Sequence, residues 1–336
     1  MQPQSRPSAS ARSSDEVAVR PFRYYLAQTP RFGSVIVLVL LIIYFAIATR
    51  GNMLQLGNVT SILNQIAVLG VLSLGLTVCL IIGQFDLSIG WNASLSGMVA
   101  TGLMSASSVP TPLAIVAALG VGVTVGIVNG LVVTYLKVNA LLATLAMGSV
   151  LSGIISWYSV SPFLNLPADF TALGQTVILH IPSPAIVMAI LAVLLWIFLQ
   201  QTPAGRWMYA IGGNEEAARV AGVRIRPIQI LGFVVCGVCA SVSGILLAAQ
   251  LGSGQPTGAV GLLLSAFAAA FLGSATWREG EFHIAGTIIG VLVLGVVFSG
   301  LALTNAPYFL KDIATGVILV LAVGSSSLMR TRRKKL

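Results

Sequence analysis

The sequence predicts an all-α integral membrane protein of about ten transmembrane helices, with both termini cytoplasmic. Three observations predict it. Of the 336 residues, 57% are hydrophobic and only 8% are charged, and the mean hydropathy is +0.96; a soluble domain carries roughly a quarter charged residues to cover its surface. Residues 51–85, 87–136, 138–168, 170–205, 227–277 and 282–310 contain no Asp, Glu, Lys or Arg, and a helix crosses the hydrocarbon core in about 20 residues. The apolar runs also lack two-residue alternation. Backbone groups in lipid must bond internally, so these runs are helices rather than barrel strands.

Residues 1–32 are polar and rich in Ser, Pro and Arg and form a cytoplasmic tail. The first apolar run starts too far from Met1 for a cleaved signal peptide, so it is a retained anchor. Breaks at Gly, Pro and charged residues place the spans near 33–49, 60–83, 89–107, 112–135, 139–159, 184–201, 228–250, 261–276, 284–303 and 309–326. The 261–276 span is short and Ala-rich and is the weakest of the ten. Between spans five and six, residues 160–183 carry Pro162, Pro167, Asp169, His180 and Pro182 and read as an ordered external loop with a short half-helix. Residues 33–326 thus make one transmembrane domain, and 327–336 form a basic cytoplasmic tail.

The basic residues orient the spans. With both termini inside, sixteen of the eighteen Lys and Arg residues fall in cytoplasmic segments, and only Arg50 and Lys311 lie outside. This is the bias the positive-inside rule requires, and dropping one middle span would destroy it. The net charge of +9 is concentrated in the two tails, where anionic membrane lipids attract it. Nucleic-acid binding needs a basic face interleaved with aromatics on a folded surface, and the sequence offers none.

Ionisable groups within spans usually mark membrane chemistry because they are costly there. Here Asp86, Asp169 and Asp312 all fall at span ends or in loops, which disfavours ion coupling. His180 and His283 lie in loops of opposite sidedness and cannot share a metal, so the chain has no expected metal site. Cys236 and Cys239 have CxxC spacing, but inside a span this is one helical turn of small residues suited to packing. A phosphate-binding P-loop needs Gly-Lys-Ser/Thr, and none of the four lysines follows a glycine. The chain therefore binds no cofactor of its own, and any ATP–Mg belongs to a partner ATPase.

Uncharged polarity remains. Asn64, Gln65, Asn129, Asn139, Gln250 and Gln255 lie in or beside spans and are candidates for lining a pathway that hydrogen-bonds hydroxyls. The alternative for each is an interhelical hydrogen bond without contact to cargo. The longest inside loop, 202–227, has the most structured pattern. Asn214 suits a helix N-cap, Glu215 and Glu216 suit the positive first turn, and Gly222 suits a stop. A short helix at about 215–221 is predicted, with Gly212 and Gly213 as its hinge.

This loop resembles the cytoplasmic coupling segment of permease subunits in ribose-type (branched-chain/monosaccharide) ATP-binding cassette importers, and the chain's resemblance to those subunits runs over nearly all of residues 55–325. Asp86-Leu87-Ser88-Ile89-Gly90 looks like the family's Asp-Leu-Ser-Val-Gly signature, with Asp86, Ser88 and Gly90 as its structural residues. Asn129-Gly130, Lys137-Val138 and Ala143-Thr144-Leu145 resemble the segment joining spans four and five. Gly254-Gln255-Pro256, Leu272-Gly273 and Gly286-Thr287-Ile288-Ile289-Gly290 match the region of spans eight and nine. The chain departs from the pattern at Leu262-Leu263-Leu264-Ser265, where acidic residues are usual, and at Trp277–Phe282, where a glycine-rich turn is usual.

The resemblance implies a multi-pass subunit of the bacterial cytoplasmic membrane that forms the path for a sugar or similar polyhydroxylated solute. It implies a second permease copy or a sister permease, a cytoplasmic ATPase subunit and an extracytoplasmic sugar-binding protein as partners. ATPase coupling carries over to Gly212, Gly213, Asn214, Glu215, Glu216, Ala218, Arg219 and Gly222. Spans three and nine, each starting inside after a Gly/acidic loop, suit inverted repeats. The competing readings are an ion-coupled secondary transporter and a membrane scaffold that moves no solute.

Overall fold

The computed structural model describes residues 33–275 and 280–333, with side chains as far as Gly324. Among them are thirteen α-helices and one two-stranded hairpin. Helix α1 (Gly33–Ala48) leads through a 3-10 turn at Asn52–Leu54 into α2 (Leu56–Ile81), followed by α3 (Ile89–Ser107), α4 (Thr111–Tyr135) and α5 (Ala140–Tyr158). Next come the short α6 (Ala168–Gln175), strands β1 (Val177–Ile178) and β2 (Ile181–Pro182), and α7 (Ser183–Gln201). Two short helices, α8 (Pro203–Gly213) and α9 (Glu215–Val220), precede α10 (Ile225–Leu251), α11 (Leu262–Ser274), α12 (Ile284–Leu303) and α13 (Phe309–Arg333).

Six of these helices, α2, α4, α5, α7, α10 and α12, are long and apolar enough to cross a membrane. α1 and α11 are apolar but shorter, the latter with 13 residues, as its Ala-rich sequence suggested. α3 spans the expected length, and its Ser, Gly and Asn content makes it less apolar than its neighbours. α13 continues to Arg333, beyond the expected end at 326.

Packing sorts the spans into two classes. The most apolar windows of α2, α12 and α10 are 78%, 67% and 61% buried, whereas those of α4, α5 and α7 are 33%, 28% and 28% buried. The first three form the centre, and the others present apolar side chains such as Leu113, Leu142, Ile190 and Trp196 outward. In water such a surface would be an aggregation site; in lipid it is the solvated face.

Lipid supplies no hydrophobic drive between helices, so close contact through small residues matters. α10 runs along α2, α3 and α4. A Cβ on Gly237 of α10 would strike the Gly122 carbonyl of α4, and one on Gly122 would strike Gly237 in return. Gly244 sits equally close to Ala93 of α3. These contacts bring backbones together along the length of α10.

The loops gather at two opposite ends. At one end, Phe163 bridges Gly254, Thr60 Oγ1 donates to the His180 carbonyl at 3.0 Å, and Ser105 Oγ donates to the Leu164 carbonyl at 2.8 Å. The hairpin there turns through Leu179 and His180, both at positive φ (48° and 66°), as a two-residue primed turn requires. At the other end lie the α2–α3 connection, the α4–α5 turn and the α8–α9 segment, where α8 meets Ile81 and Gly83 through Gly212.

Candidate functional site

The segment 202–227 holds two helices where the sequence reading expects one. Thr202 caps α8, its hydroxyl accepting from the Gly205 N–H at 3.2 Å, and Pro203 occupies the first turn. Gly212 and Gly213 are therefore not a hinge but the last turn of α8. Gly212 is needed for a different reason: a Cβ there would collide with the Ile81 carbonyl at the end of α2. The break between the two helices is Asn214 alone, extended at φ −160° and ψ 104°.

α9 is closed at both ends. The Asn214 side chain accepts from the Ala217 N–H at 3.0 Å, and Glu215 and Glu216 occupy the first turn, where the helix dipole favours carboxylates. At the far end Gly222 takes φ +83°, with its N–H donating to the Arg219 carbonyl and that of Val223 to the Ala218 carbonyl. This pair of bonds is the Schellman stop. Glu215 accepts from Arg219 at 2.8 Å and from Gln229 Nε2 of α10 at 3.3 Å. Ala218 is buried on the inner side, and Val220 is 83% exposed. α9 is thus a preformed outward knob tied to a central membrane helix.

The signature residues form a buried joint behind this segment. In the connection 82–88, the Asp86 carboxylate accepts from the Ser88 N–H at 2.8 Å and the Ser88 hydroxyl at 2.6 Å. Asn129 of α4 donates to Ser88 Oγ at 2.9 Å and reaches the second Asp86 oxygen at 3.5 Å. Burial pushes the Asp86 carboxyl above the ordinary carboxylate range, and the bonds from Ser88 and Asn129 pull it back. Thr144 of α5 accepts from the Leu87 N–H at 3.0 Å. Gly90 lies against the backbone of Ala259 and Val260. One short connection therefore fastens α4, α5 and the α10–α11 link.

The six polar candidates divide. Asn129 is buried in that joint, and Asn139 caps α5 by accepting from the Leu141 N–H at 2.9 Å. Gln250 Nε2 donates to both the carbonyl and the side-chain oxygen of Asn64, at 2.8 and 3.0 Å, linking α10 to α2 at the opposite end. Gln255 donates to Ser253 Oγ at 3.0 Å, and Gln65 is exposed. Unanticipated by the sequence reading is a second polar seam between α3 and α10. Ser96 and Ser241 share a hydrogen bond at 2.8 Å, and Asn92 donates to the Gly237 carbonyl at 3.4 Å. Its only sequence signal is a Ser/Asn repeat at four-residue spacing, Asn92 to Ser96.

Cys79, Cys236 and Cys239 are free and buried. The sulfurs of Cys79 and Cys236 and an Asp86 oxygen lie within 4.8 Å of one another, the one such ligand-capable group among the described residues. Both Asp86 oxygens already accept hydrogen bonds, so the set reads as packing around a satisfied carboxylate.

Residues 58–323 match the family model described as the branched-chain amino acid transport system / permease component. The chain is 34% identical over 293 residues to the ribose import permease protein RbsC of Escherichia coli K12, covering 85% of this chain and 91% of that protein. It is 27% identical over 311 residues to the D-allose transport system permease protein AlsC of the same strain, covering 92% and 95%. It is 28% identical over 354 residues to the xylose transport system permease protein XylH of Haemophilus influenzae, covering 86% and 93%. No solved structure matches the chain significantly.

Proposed function

The chain belongs to the family of permease components of branched-chain amino acid transport systems, and from that premise we propose that it forms the import pathway for a sugar or similar polyhydroxylated solute. It is a multi-pass protein of the bacterial inner membrane. Its relatives are named for the import or transport of ribose, allose and xylose, which supports a monosaccharide cargo. In this reading about ten helices cross the membrane with both termini cytoplasmic, arranged as inverted repeats.

Energy enters from a separate ATPase subunit that holds ATP–Mg, since the chain has no Gly-Lys of its own. An extracytoplasmic binding protein delivers the solute, and a second permease copy or sister permease completes the pore. The observation that carries this reading is α9: six residues, capped at both ends, exposed, and joined through Glu215 to Gln229 of α10. A rigid knob of this kind transmits movement of a docked ATPase to the central helix, which reorients the spans between inward- and outward-facing states. α8 adds a second brace, because Gly212 rests on the end of α2.

The decisive test combines Glu215→Lys with Gly213→Pro, which removes both bonds of Glu215 and disrupts the end of α8. The variant is expected to insert and remain monodisperse while the ATPase subunit no longer co-purifies. Undiminished co-purification would overturn the coupling role of α9.

A further inference from the structure

A cleft of about 720 Å³ opens beside α9, between the α4–α5 turn and the start of α10. That volume lies within the ~300–1,000 Å³ typical of small-ligand sites. Its polar lining includes Lys137, Arg226, Arg219, Gln84, Asn139 and Gln229. Arg219 is spoken for, held by Glu215 at 2.8 Å and Glu216 at 3.7 Å. Lys137 and Arg226 have no carboxylate partner among the described residues. The Arg226 guanidinium is steadied over the Tyr135 ring, 5.0 Å from its centroid, a cation–π contact that leaves its N–H groups available. With Glu215 of the lining paired to Arg219, Lys137 and Arg226 leave the cleft a surplus of positive charge that an entering anion would neutralise.

We propose that this cleft binds the phosphate headgroup of an anionic phospholipid of the cytoplasmic leaflet. The surroundings favour a lipid over a soluble anion. Leu136, Leu142 and Leu145 flank in sequence the residues 137–140 that line the cleft, and they are 70%, 65% and 57% exposed, offering acyl chains apolar surface beside the cationic residues. Gln84, Asn139 and Gln229 supply neutral donors for phosphate and glycerol oxygens. Basic pockets between membrane helices on the cytoplasmic side suit such headgroups. Arg219 of α9 and Arg226 and Gln229 of α10 all line the cleft, so a headgroup held among them braces α9 against α10. The inference rests on the orientation proposed above, and the role of α9 in ATPase docking is a separate matter for the test.

The full-length protein is placed in nanodiscs of phosphatidylcholine, with and without phosphatidylglycerol, and retained lipid is read by native mass spectrometry alongside thermal unfolding. The wild type is expected to retain phosphatidylglycerol preferentially and to unfold at a higher temperature with it. K137Q/R226Q should lower that preference by about thirtyfold, from the strength of two basic residues near an anionic surface, while unfolding like the wild type in phosphatidylcholine alone. R226K should keep the preference. R332Q/R333Q, in the basic C-terminal tail, should leave it unchanged, separating the cleft from general attraction to the tail. Unchanged preference in K137Q/R226Q would overturn the proposal. So would equal stabilisation of the wild type by soluble glycerol phosphate, which would assign the cleft to a free anion. Lipid preference lost in K137Q/R226Q, with ATPase binding undisturbed by the combined Glu215→Lys and Gly213→Pro change, would leave this inference standing and remove the coupling reading instead.

Discussion

The Asp86 carboxylate takes both donors of Ser88 and lies beside the Asn129 amide in a space closed to solvent. Removing the acceptor is therefore costlier than removing the charge. Asp86→Ala leaves the Ser88 N–H and O–H buried without an acceptor, at about 1–3 kcal/mol each, whereas Asp86→Asn retains a carbonyl oxygen. Thermal unfolding in detergent should rank wild type and Asp86→Asn close together and Asp86→Ala well below. The pH dependence follows from the direction of the shift. Burial raises the folded-state value, so the stability linked to this group is complete below the unfolded carboxylate value of about 4. It is lost as pH rises through the folded value. The wild-type unfolding temperature should fall across that window, and Asp86→Asn should flatten the slope. Glycines at helix crossings are equally unforgiving. Gly237→Val forces α10 away from the Gly122 carbonyl, overpacking that costs about 1–3 kcal/mol or more. It should abolish monodisperse protein, while Gly153→Ala, which meets only open space, should be silent on gel filtration.

Helix α9 is short enough that its caps decide whether it persists, because six residues cannot sustain a helix by propensity. Asn214→Ala removes the bond to Ala217 and should cost about 1 kcal/mol. Gly222→Ala places a Cβ at φ +83°, a left-handed conformation costing about 1–2 kcal/mol. Either change should speed amide exchange across residues 215–223 and weaken ATPase binding, with exchange over α10 unaltered. These caps were legible in the sequence because Asn, paired acids and Gly at fixed offsets are a local code. α8 carried an equally local signal, Thr202 before Pro203, but its closing pair Gly212 and Gly213 has the composition of a break. The long helices were legible from charge-free runs, but their places in the bundle were not. α2 and α7 have nearly equal hydropathy, 2.0 and 2.2, yet 78% and 28% of their windows are buried. Lipid and protein interior are both apolar, so hydropathy cannot distinguish a central span from a peripheral one. The same holds for partners distant in sequence: nothing local tells Asn129 that it will meet Ser88, 41 residues away.

At the scale of the molecule, loop contacts fall into two groups that agree with the sidedness read from the basic residues, while the α10–α11 link reaches both, from Gly254 beside Phe163 to Ala259 and Val260 beside Gly90. The expected outer segments meet at Phe163–Gly254 and Thr60–His180. The expected inner ones meet at Gly212–Ile81, Glu215–Gln229 and Arg226–Tyr135. Contacts between loops require them to be on the same side, so these pairings constrain the parity of the spans between them. They do not say which end faces the cytoplasm; the orientation proposed above takes that from the distribution of Lys and Arg. Two exposed positions make the orientation measurable. Leu179 is 89% exposed at the hairpin tip, and Val220 is 83% exposed at the end of α9. The native thiols Cys79, Cys236 and Cys239 are buried, so a membrane-impermeant maleimide should leave the wild type unlabelled. Leu179→Cys should label in spheroplasts with intact membranes. Val220→Cys should label only in inverted vesicles or after permeabilisation, and bound ATPase subunit should protect it. The reverse pattern would put α9 on the outer surface, beyond the reach of any cytoplasmic ATPase, and would end the importer reading.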